Sequence, residues 1–206
     1  MGTNPDGDWQ ADLPEVTQSL PGTFLFAELV YGHFGHCLVD MPSRLWPLTE
    51  GSLSPDVLNG VLTMGMLGVA TDGSKMPGYA AAILEGCGVP RDALRFATEP
   101  VRVERLVVPR RIAPYLGLMH PVFSATLNRA GTHLAKGAST RPHPKRVFLS
   151  RSRLAHDPRA SGDLRALDAL FTAKGFTVIH PQELALADQI AMARQATHFA
   201  GPIGSQ

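Results

Sequence analysis

The fold is decided by three short apolar runs in the last third of the chain: KRVFLSRSR (residues 145–153), GFTVIH (175–180) and THFAGPIGSQ (197–206). The second run is too short and too β-branched for a helix, and we interpret all three as strands. Helical patterns separate them, one at residues 183–196 and one with an apolar face of Leu164, Leu167, Leu170 and Phe171. The order strand, helix, strand, helix, strand predicts a parallel sheet with right-handed crossovers.

Polar residues follow two of these predicted strands at their carboxyl ends. Arg151 and Arg153 come after the first strand, and a glycine–serine turn from Gly201 to Ser205 comes after the third. Ligands of parallel α/β sheets bind at the carboxyl ends of the strands. Residues two apart at a strand end project the same way, and two adjacent guanidiniums suit a diphosphate. The pattern predicts a phosphate-binding edge, with a solvated cationic edge as the alternative.

The end of the sequence adds a further expectation. A glycine turn of this kind normally leads into a helix whose amide groups it orients toward an anion. No residues follow Gln206 to form that helix, and three strands are few for an independent doubly wound domain. We therefore expect an α/β chain of two Rossmann-like units, the second incomplete because the chain is truncated at its C-terminus.

Composition indicates a globular chain of 206 residues, of which 44% are hydrophobic and 18% charged. The net charge of +1 gives no bulk field that would favour nucleic acid or a membrane surface. The longest apolar stretch, residues 57–70, is shorter than the roughly 20 residues of a membrane span. Cys37 and Cys87 lack the spacing of a zinc site or a disulfide framework. We expect a soluble, cytoplasmic protein that is at most peripheral to a membrane.

The first 135 residues carry a second series of α/β patterns. The patterns predict strands at 23–31 and 102–109 and helices at 76–86 and 120–135. Residues 61–69 fit either a strand or a buried helix. From Cys37 onward an apolar helical face is interrupted by Pro42, which predicts a kink or a late helix start; that face comprises Leu38, Met41, Leu45 and Leu48.

A linker is predicted at residues 136–144, KGASTRPHP, which contain two prolines and no apolar periodicity. The sequence is thereby divided into an N-terminal α/β domain at 1–135, this linker, and the start of a second α/β domain at 145–206.

His33, His36 and Asp40 form the densest polar cluster of the sequence. If a helix has begun by His36, the four-residue spacing places His36 and Asp40 on one face, within reach of each other. The carboxylate could then orient the imidazole or itself accept a proton from a substrate hydroxyl. Three alternatives stay open: metal ligation, a nucleophilic pair of Cys37 with His36, and histidines that cap a helix start. Trp46 is either a packing residue or a platform for a sugar.

These residues resemble glycosyltransferase family 61, which includes bacterial capsular-polysaccharide biosynthesis proteins and plant xylosyltransferases. The segment GHFGHCLVD (32–40), followed by SRLW (43–46), is similar to the family's His-x-x-x-Asp/Glu segment. VFLSR (147–151) is similar to the family's strand ending in Ser-Arg. The residues from 175 to 190 follow the order of its Gly-Phe, Pro-Glu-x-Leu and Glu-Gln stretch, and AGPIGS (200–205) resembles its closing turn.

The resemblance implies a two-domain, GT-B-like enzyme that inverts configuration while moving a sugar from a nucleotide-sugar donor to a carbohydrate hydroxyl. It implies Asp40 as the candidate base and His36 as its partner, with His33 and Arg44 as further candidates. It implies that Arg151 contacts the donor phosphates and that Gly201, Gly204 and Ser205 form the donor loop. The strand-end pattern described above adds Arg153 to the phosphate-binding candidates. No metal or other cofactor is required on this interpretation, and no nucleic-acid partner or transmembrane segment is expected.

The sequence also departs from the family pattern. Ile203 stands where the closing turn of the family usually has histidine. Two other functions therefore remain as hypotheses. One is an inactive, truncated remnant that binds at most a nucleotide or a protein partner. The other is a metal hydrolase that uses His33, His36 and Asp40.

Overall fold

A computed structural model describes residues 2–3, 9–10, 15–66, 69–70, 72–113, 118–154 and 163–202. The strands within these ranges are β1 (Gly2–Thr3), β2 (Trp9–Gln10), β3 (Gln18–Tyr31), β4 (Gly60–Met66), β5 (Leu94–Phe96), β6 (Val101–Val107), β7 (Arg146–Leu149), β8 (Thr177–Ile179) and β9 (His198–Ala200). The α-helices are α1 (Phe34–Val39), α2 (Trp46–Glu50), α3 (Gly78–Gly86), α4 (Pro121–Leu134), α5 (Leu164–Ala173) and α6 (Leu186–Gln195). Short 3-10 helices lie at Met41–Arg44, Pro55–Val57, Arg91–Ala93, Ala135–Gly137 and Pro181–Glu183.

The first sheet has the strand order β5-β4-β3-β6, and every pair in it is parallel. β3 therefore lies inside the sheet, and the chain adds β4 and β5 on one side before it crosses to β6 on the other. Of the undecided residues 61–69, those up to Met66 lie in strand β4 and not in a buried helix, and residues 67–68 lie outside the described residues. The direction of winding reverses between β3 and β6, and such a switch point opens a crevice at the carboxyl ends of the two strands.

The second sheet has the order β8-β7-β9, and both of its pairs are parallel. This arrangement confirms the parallel sheet predicted from the last third of the chain. β7 is again central, so the direction of winding reverses between β7 and β9. The two parallel sheets with their helices give a mixed α/β architecture of Rossmann-like type.

Local signals explain where the helices of this second part begin and end. The carboxylate of Asp163 accepts hydrogen bonds from the amides of Arg165 at 2.9 Å and Ala166 at 3.1 Å, which caps α5. Gly175 adopts a φ of +75° just after α5, as predicted for a residue that terminates a helix. The next helix begins later than the predicted residue 183, because a 3-10 helix at Pro181–Glu183 precedes α6.

The predicted apolar face of α5 is only partly buried. Phe171 stacks on Phe148 of β7 with ring centroids 4.1 Å apart, but the side chain of Leu170 is 51% exposed. The predicted apolar face implies that all four residues pack into the core, and for Leu170 that prediction is wrong. At about 100° of rotation per residue, Leu170 lies at the margin of the apolar stripe, beyond Leu167 and away from Phe171.

The main core lies against the first sheet. It packs β3 and β4 against the segment from α1 to α2 and against α3; its most deeply buried large members include Leu25, Val30, Met41, Leu45, Ile83 and Leu84. A smaller cluster of Ile112, Ala113 and Phe123 has Trp46 packed against it. The indole nitrogen of Trp46 donates to the carbonyl of Arg110 at 3.0 Å, which favours the packing interpretation of that residue.

Residues 34–50 form three short helical pieces instead of one helix. Pro42 lies in the first turn of the 3-10 helix Met41–Arg44, where its missing amide hydrogen costs no helical hydrogen bond. This confirms the interruption predicted at Pro42. Despite the break, Met41, Leu45 and Leu48 still reach the core.

The predicted linker, residues 136–144, begins in the 3-10 helix Ala135–Gly137 and then runs without regular secondary structure. The amide of Ser139 donates to Asp188 of α6 at 2.6 Å, and Arg194 of α6 donates to Thr132 of α4 at 2.8 Å. Within the described part of the chain, no helix combines the length and the apolar character needed to cross a membrane.

Candidate active site

The site is built at the carboxyl end of β3. The strand ends at Tyr31, and the chain passes through Gly32 and His33 into α1. The hydroxyl of Tyr79 on α3 donates to the carbonyl of Gly32, and the ring of Tyr79 meets Phe34 edge to face with centroids 5.3 Å apart. These contacts fix the strand-to-helix turn, so that the first turn of α1 is held against the core.

His36 and Asp40 are in direct contact. The Nδ1 atom of His36 lies 2.5 Å from Oδ2 of Asp40, as the four-residue spacing predicts. The side chain of His36 is 41% exposed, whereas that of Asp40 is only 13% exposed. The ring of His36 also stacks on Tyr31 with centroids 4.9 Å apart. The imidazole is therefore held on two sides and still reaches solvent.

Arg111 binds the second oxygen of Asp40. Its Nη2 atom donates to Oδ1 of Asp40 at 2.5 Å. Arg111 follows the carboxyl end of β6, so it reaches Asp40 across the switch point between β3 and β6. Asp40 therefore has one oxygen on an imidazole and the other on a guanidinium. A carboxylate with both oxygens engaged is well suited to orient a neighbouring base and to balance its charge.

Glu28 brings a second carboxylate to the same cluster. Its Oε2 atom accepts from Nε of Arg44 at 2.6 Å and lies 3.5 Å from Nε of Arg111. Arg44, predicted as a further site residue, also donates from Nη1 to the carbonyl of Pro109 just after β6. Two arginines and two carboxylates thus alternate at this edge of the sheet.

Burial and the charges of the cluster shift the pKa of the neighbouring Tyr31. Burial raises the pKa of its phenol above the ordinary value, and the negative charges of Asp40 and then Glu28 raise it further, while Arg111 opposes them. The phenol thus stays protonated at neutral pH beside His36.

The nucleophilic pair of Cys37 with His36 is not supported. Cys37 is fully buried, and its thiol donates to the carbonyl of Tyr31 at 2.7 Å instead of to His36. Burial also raises the pKa of the Cys37 thiol to about 11. A buried, protonated thiol is a poor nucleophile.

The other two alternatives are histidines that cap the start of a helix and ligation of a metal ion. His33 precedes α1 as its N-cap residue, but its side chain makes no capping hydrogen bond. Its Nδ1 atom is buried without a hydrogen-bond partner, and its ring meets that of His36 at a centroid distance of 5.2 Å. Among the described residues, no group of three or more His, Cys, Asp or Glu side chains is arranged to hold a metal ion.

The predicted donor residues lie at the second sheet. Arg151 follows β7 and is 7% exposed, and Gly201 follows β9, the neighbouring strand. The ideal Cβ position of Gly201 is only 3.1 Å from the carbonyl oxygen of Leu149, so a side chain there would crowd the approach of these two strand ends. Gly204 and Ser205 lie outside the described residues, as does Ile203.

Arg151 and Arg153 have different environments. The side chain of Arg153 is 62% exposed and its Nη1 atom lies 2.9 Å from Oε1 of Glu183. Strand β7 ends at Leu149 and the chain turns at Ser152–Arg153, so the alternation of a strand does not extend to these two residues. The strand geometry from which a side-by-side pair was predicted therefore does not apply to Arg151 and Arg153.

Sequence reasoning missed Glu28 and Arg111. A signal for Arg111 was present, because it follows the predicted strand 102–109 at its carboxyl end, and the same argument selected Arg151 after its own strand. No comparable signal exists for Glu28, which lies within an apolar strand pattern.

Taken together, fold and site define an α/β protein with a histidine–aspartate pair at the switch point of a parallel sheet. A family model described as Glycosyltransferase 61 matches residues 34–206, and the chain belongs to that family. The match confirms the resemblance seen in the sequence, and membership supports glycosyl transfer with a donor and an acceptor as the general activity. Searches of curated proteins and of solved structures gave no match. The matched range includes His36, Asp40, Arg111 and Arg151, whereas Glu28 lies before it.

Proposed function

We propose that this chain is an inverting glycosyltransferase that moves a sugar from a nucleotide-sugar donor to a carbohydrate hydroxyl in polysaccharide biosynthesis. The single observation that carries the proposal is the contact between His36 and Asp40 at the switch point of the first sheet, in a chain of glycosyltransferase family 61. An acceptor hydroxyl must lose its proton to attack the sugar, and an oriented imidazole can take that proton.

The contacts favour a specific division of roles within the pair. The family resemblance points to Asp40 as the base, but both carboxylate oxygens of Asp40 are already bound, by His36 and Arg111. His36 is the more exposed partner, and its Nε2 atom is not the one that meets Asp40. We assign proton abstraction to Nε2 of His36, with Asp40 holding the ring through Nδ1 and balancing the imidazolium that forms.

The reaction is then a single displacement. The acceptor oxygen forms a bond to the anomeric carbon, and the bond from that carbon to the donor phosphate breaks on the opposite face. The electron pair leaves with the nucleoside diphosphate, and the acceptor proton passes to His36. Because attack and departure occur on opposite faces, configuration at the anomeric carbon is inverted.

The leaving group requires positive charge, which we assign to the second sheet. Arg151 lies at the carboxyl end of β7, beside the close approach between Leu149 and Gly201. A guanidinium can bind two phosphate oxygens at once and stabilise the charge that develops there. Arg153, Gly204 and Ser205 complete the proposed donor contacts, and no metal is needed for this step.

The experiment has two parts. Calorimetry with uridine, guanosine and cytidine diphosphates identifies the nucleotide, and transfer to an oligosaccharide panel is then followed with the matching sugar donors. NMR of the product gives the anomeric configuration. We expect His36→Gln and Asp40→Asn to lower transfer by roughly 100-fold or more while nucleotide affinity is retained.

Asp92→Asn is the matched control, because it neutralises an exposed carboxylate away from the site. Unchanged transfer in both site variants would refute the proposal. Nucleotide binding with no transfer by the native chain would instead support the alternative, a remnant that binds without turnover.

A further inference from the structure

Glu28 has the most unusual backbone of the described residues. It is the one residue other than glycine among them with a positive φ, at +68°. Left-handed backbone is unfavourable for a residue with a Cβ atom, and it persists only where surrounding contacts enforce it. Such strain at the edge of a candidate active site suggests a function for the side chain that it places there.

A β-bulge produces this conformation. The pairing of β3 with β4 skips one residue between Phe26 and Glu28, which pair with Leu62 and Thr63 in turn. The hydroxyl of Thr63, which is fully buried, donates to the carbonyl of Glu28 at 3.0 Å. Bulges redirect the side chains that follow them and are frequent next to active sites.

The redirected carboxylate of Glu28 separates two guanidiniums. Arg44 and Arg111 both approach its Oε2 atom, with their Nε atoms at 2.6 Å and 3.5 Å. Without a negative charge between them, these two cations would repel each other. Arg111 is the residue that binds Oδ1 of Asp40. Arg111 is thus held beside Asp40 by two neighbours, the Glu28 carboxylate and Oγ of Ser43, which accepts from Nε of Arg111 at 3.5 Å.

We propose that Glu28 is a positioning residue of the acid–base site, acting through Arg111 and Asp40 on His36. The inference rests on the proposed function of the His36–Asp40 pair. Glu28 holds Arg111 in place, Arg111 fixes the Asp40 carboxylate, and Asp40 keeps the imidazole of His36 in the tautomer with hydrogen on Nδ1. In that tautomer Nε2 is free to accept the proton of the acceptor. Glu28 itself touches no substrate in this scheme.

The tautomer of His36 can be measured without any substrate. ¹⁵N-detected NMR of the uniformly labelled chain at a pH where the ring is neutral reports which ring nitrogen carries hydrogen, and His36→Gln identifies the signal among the eight histidines. In the native chain we expect the Nδ1–H form to predominate. In Glu28→Gln, which keeps the side-chain shape but removes the charge, we expect it to become the minor form.

Two further variants separate positioning from stability. Glu28→Gly and Glu28→Gln both remove the charge between Arg44 and Arg111, but only Glu28→Gly also relieves the backbone strain. We therefore expect Glu28→Gly to melt at or above the temperature of Glu28→Gln, with loss of the Nδ1–H form in both. Glu104→Gln is the matched control on β6, where its carboxylate accepts from the amide of Gly22 at 2.6 Å, and the tautomer should not change.

The outcomes distinguish the two proposals. A native chain in which His36 carries its hydrogen on Nε2 would overturn both this inference and the proposed division of roles in the pair. A native Nδ1–H form that persists in folded Glu28→Gln and Glu28→Gly would overturn the role of Glu28 alone and leave the proposed function intact.

Discussion

The Nη2 atom of Arg111 lies 2.5 Å from Oδ1 of Asp40, although the two residues are 71 positions apart in the chain. The contact joins the segment after β6 to the end of α1 across the switch point of the first sheet. It satisfies one oxygen of a carboxylate that has little access to water, while His36 satisfies the other. The orientation of Asp40 is thereby set by the tertiary structure and not by α1 alone.

Replacing Arg111 should therefore weaken catalysis more than donor binding. In Arg111→Ala, Asp40 keeps only its contact with His36 and can rotate, so we expect the turnover number to fall roughly tenfold or more. Arg111→Lys should recover little, because an ammonium cannot span Glu28 and Asp40 as the planar guanidinium does. Steady-state kinetics with saturating donor measure the loss. Arg110→Ala is the control, and equal turnover in the Arg110 and Arg111 variants would contradict this role.

The His36–Asp40 pair of this site could be predicted from the sequence. The spacing of His36 and Asp40 is local, so helix geometry alone brings them together. Arg111 and Glu28 reach the site through strand order and a bulge, neither of which a single sequence specifies. Tertiary structure also decides the exposure of Leu170, which depends on which element covers that face of α5. The different environments of Arg151 and Arg153 depend on where the short strand β7 ends.

Alkaline pH should destabilise the chain through its two buried thiols. Burial raises the pKa of Cys37 to about 11 and that of Cys87 to about 12, from an ordinary value of 9.0. Above pH 9 the unfolded chain loses these protons while the folded chain retains them, so the free energy of unfolding falls as pH rises toward 11. Below pH 9 the two thiols contribute no pH dependence.

Urea unfolding at intervals between pH 7 and pH 11 measures this effect. In the double variant Cys37→Ala, Cys87→Ala, the free energy of unfolding should be lower at pH 7 because two buried groups are lost, but its decline between pH 9 and pH 11 should be shallower. Parallel curves for the native chain and the double variant would show that other groups, such as Tyr31 and Tyr79, cause the decline.

Cys37 should be dispensable for chemistry. Its thiol is directed to the carbonyl of Tyr31, and a serine hydroxyl can donate to the same atom. We expect Cys37→Ser to retain transfer within roughly tenfold of the native chain. The native thiol should also react slowly with a disulfide reagent at pH 8, because it is buried and protonated. Loss of transfer equal to that of Asp40→Asn in a folded Cys37→Ser chain would restore the nucleophile hypothesis.

Arg153 can be replaced to test phosphate binding without a large change in the free energy of unfolding. Its ion pair with Glu183 is exposed, so Arg153→Ala should change the free energy of unfolding by less than about 1 kcal/mol. If Arg153 contacts the donor phosphates, affinity for the nucleoside diphosphate found by calorimetry should fall roughly tenfold. Glu183→Gln is the control, because it releases Arg153 without removing it and should retain or increase affinity. Equal affinity in native and Arg153→Ala chains would favour the solvated edge.

Gly201 should tolerate even a methyl side chain poorly. A Cβ atom there would lie 3.1 Å from the carbonyl oxygen of Leu149 and 3.4 Å from its Cβ atom, and the carbonyl belongs to the backbone of β7. Since that backbone cannot move without disturbing both β8 and β9, we expect Gly201→Ala to lower the free energy of unfolding by about 1–3 kcal/mol.

Gly137→Ala is the matched control, because nothing lies within 4 Å of its Cβ position, and its free energy of unfolding should stay within about 0.5 kcal/mol of the native value. Urea titrations of the two variants make the comparison. The close approach of β7 and β9 also sets the distance between Arg151 and Gly201, two of the proposed donor residues, so nucleotide affinity should fall in Gly201→Ala and not in Gly137→Ala. Equal stabilities would mean that the strand ends can separate without cost, and the proposed donor crevice would then have no fixed width.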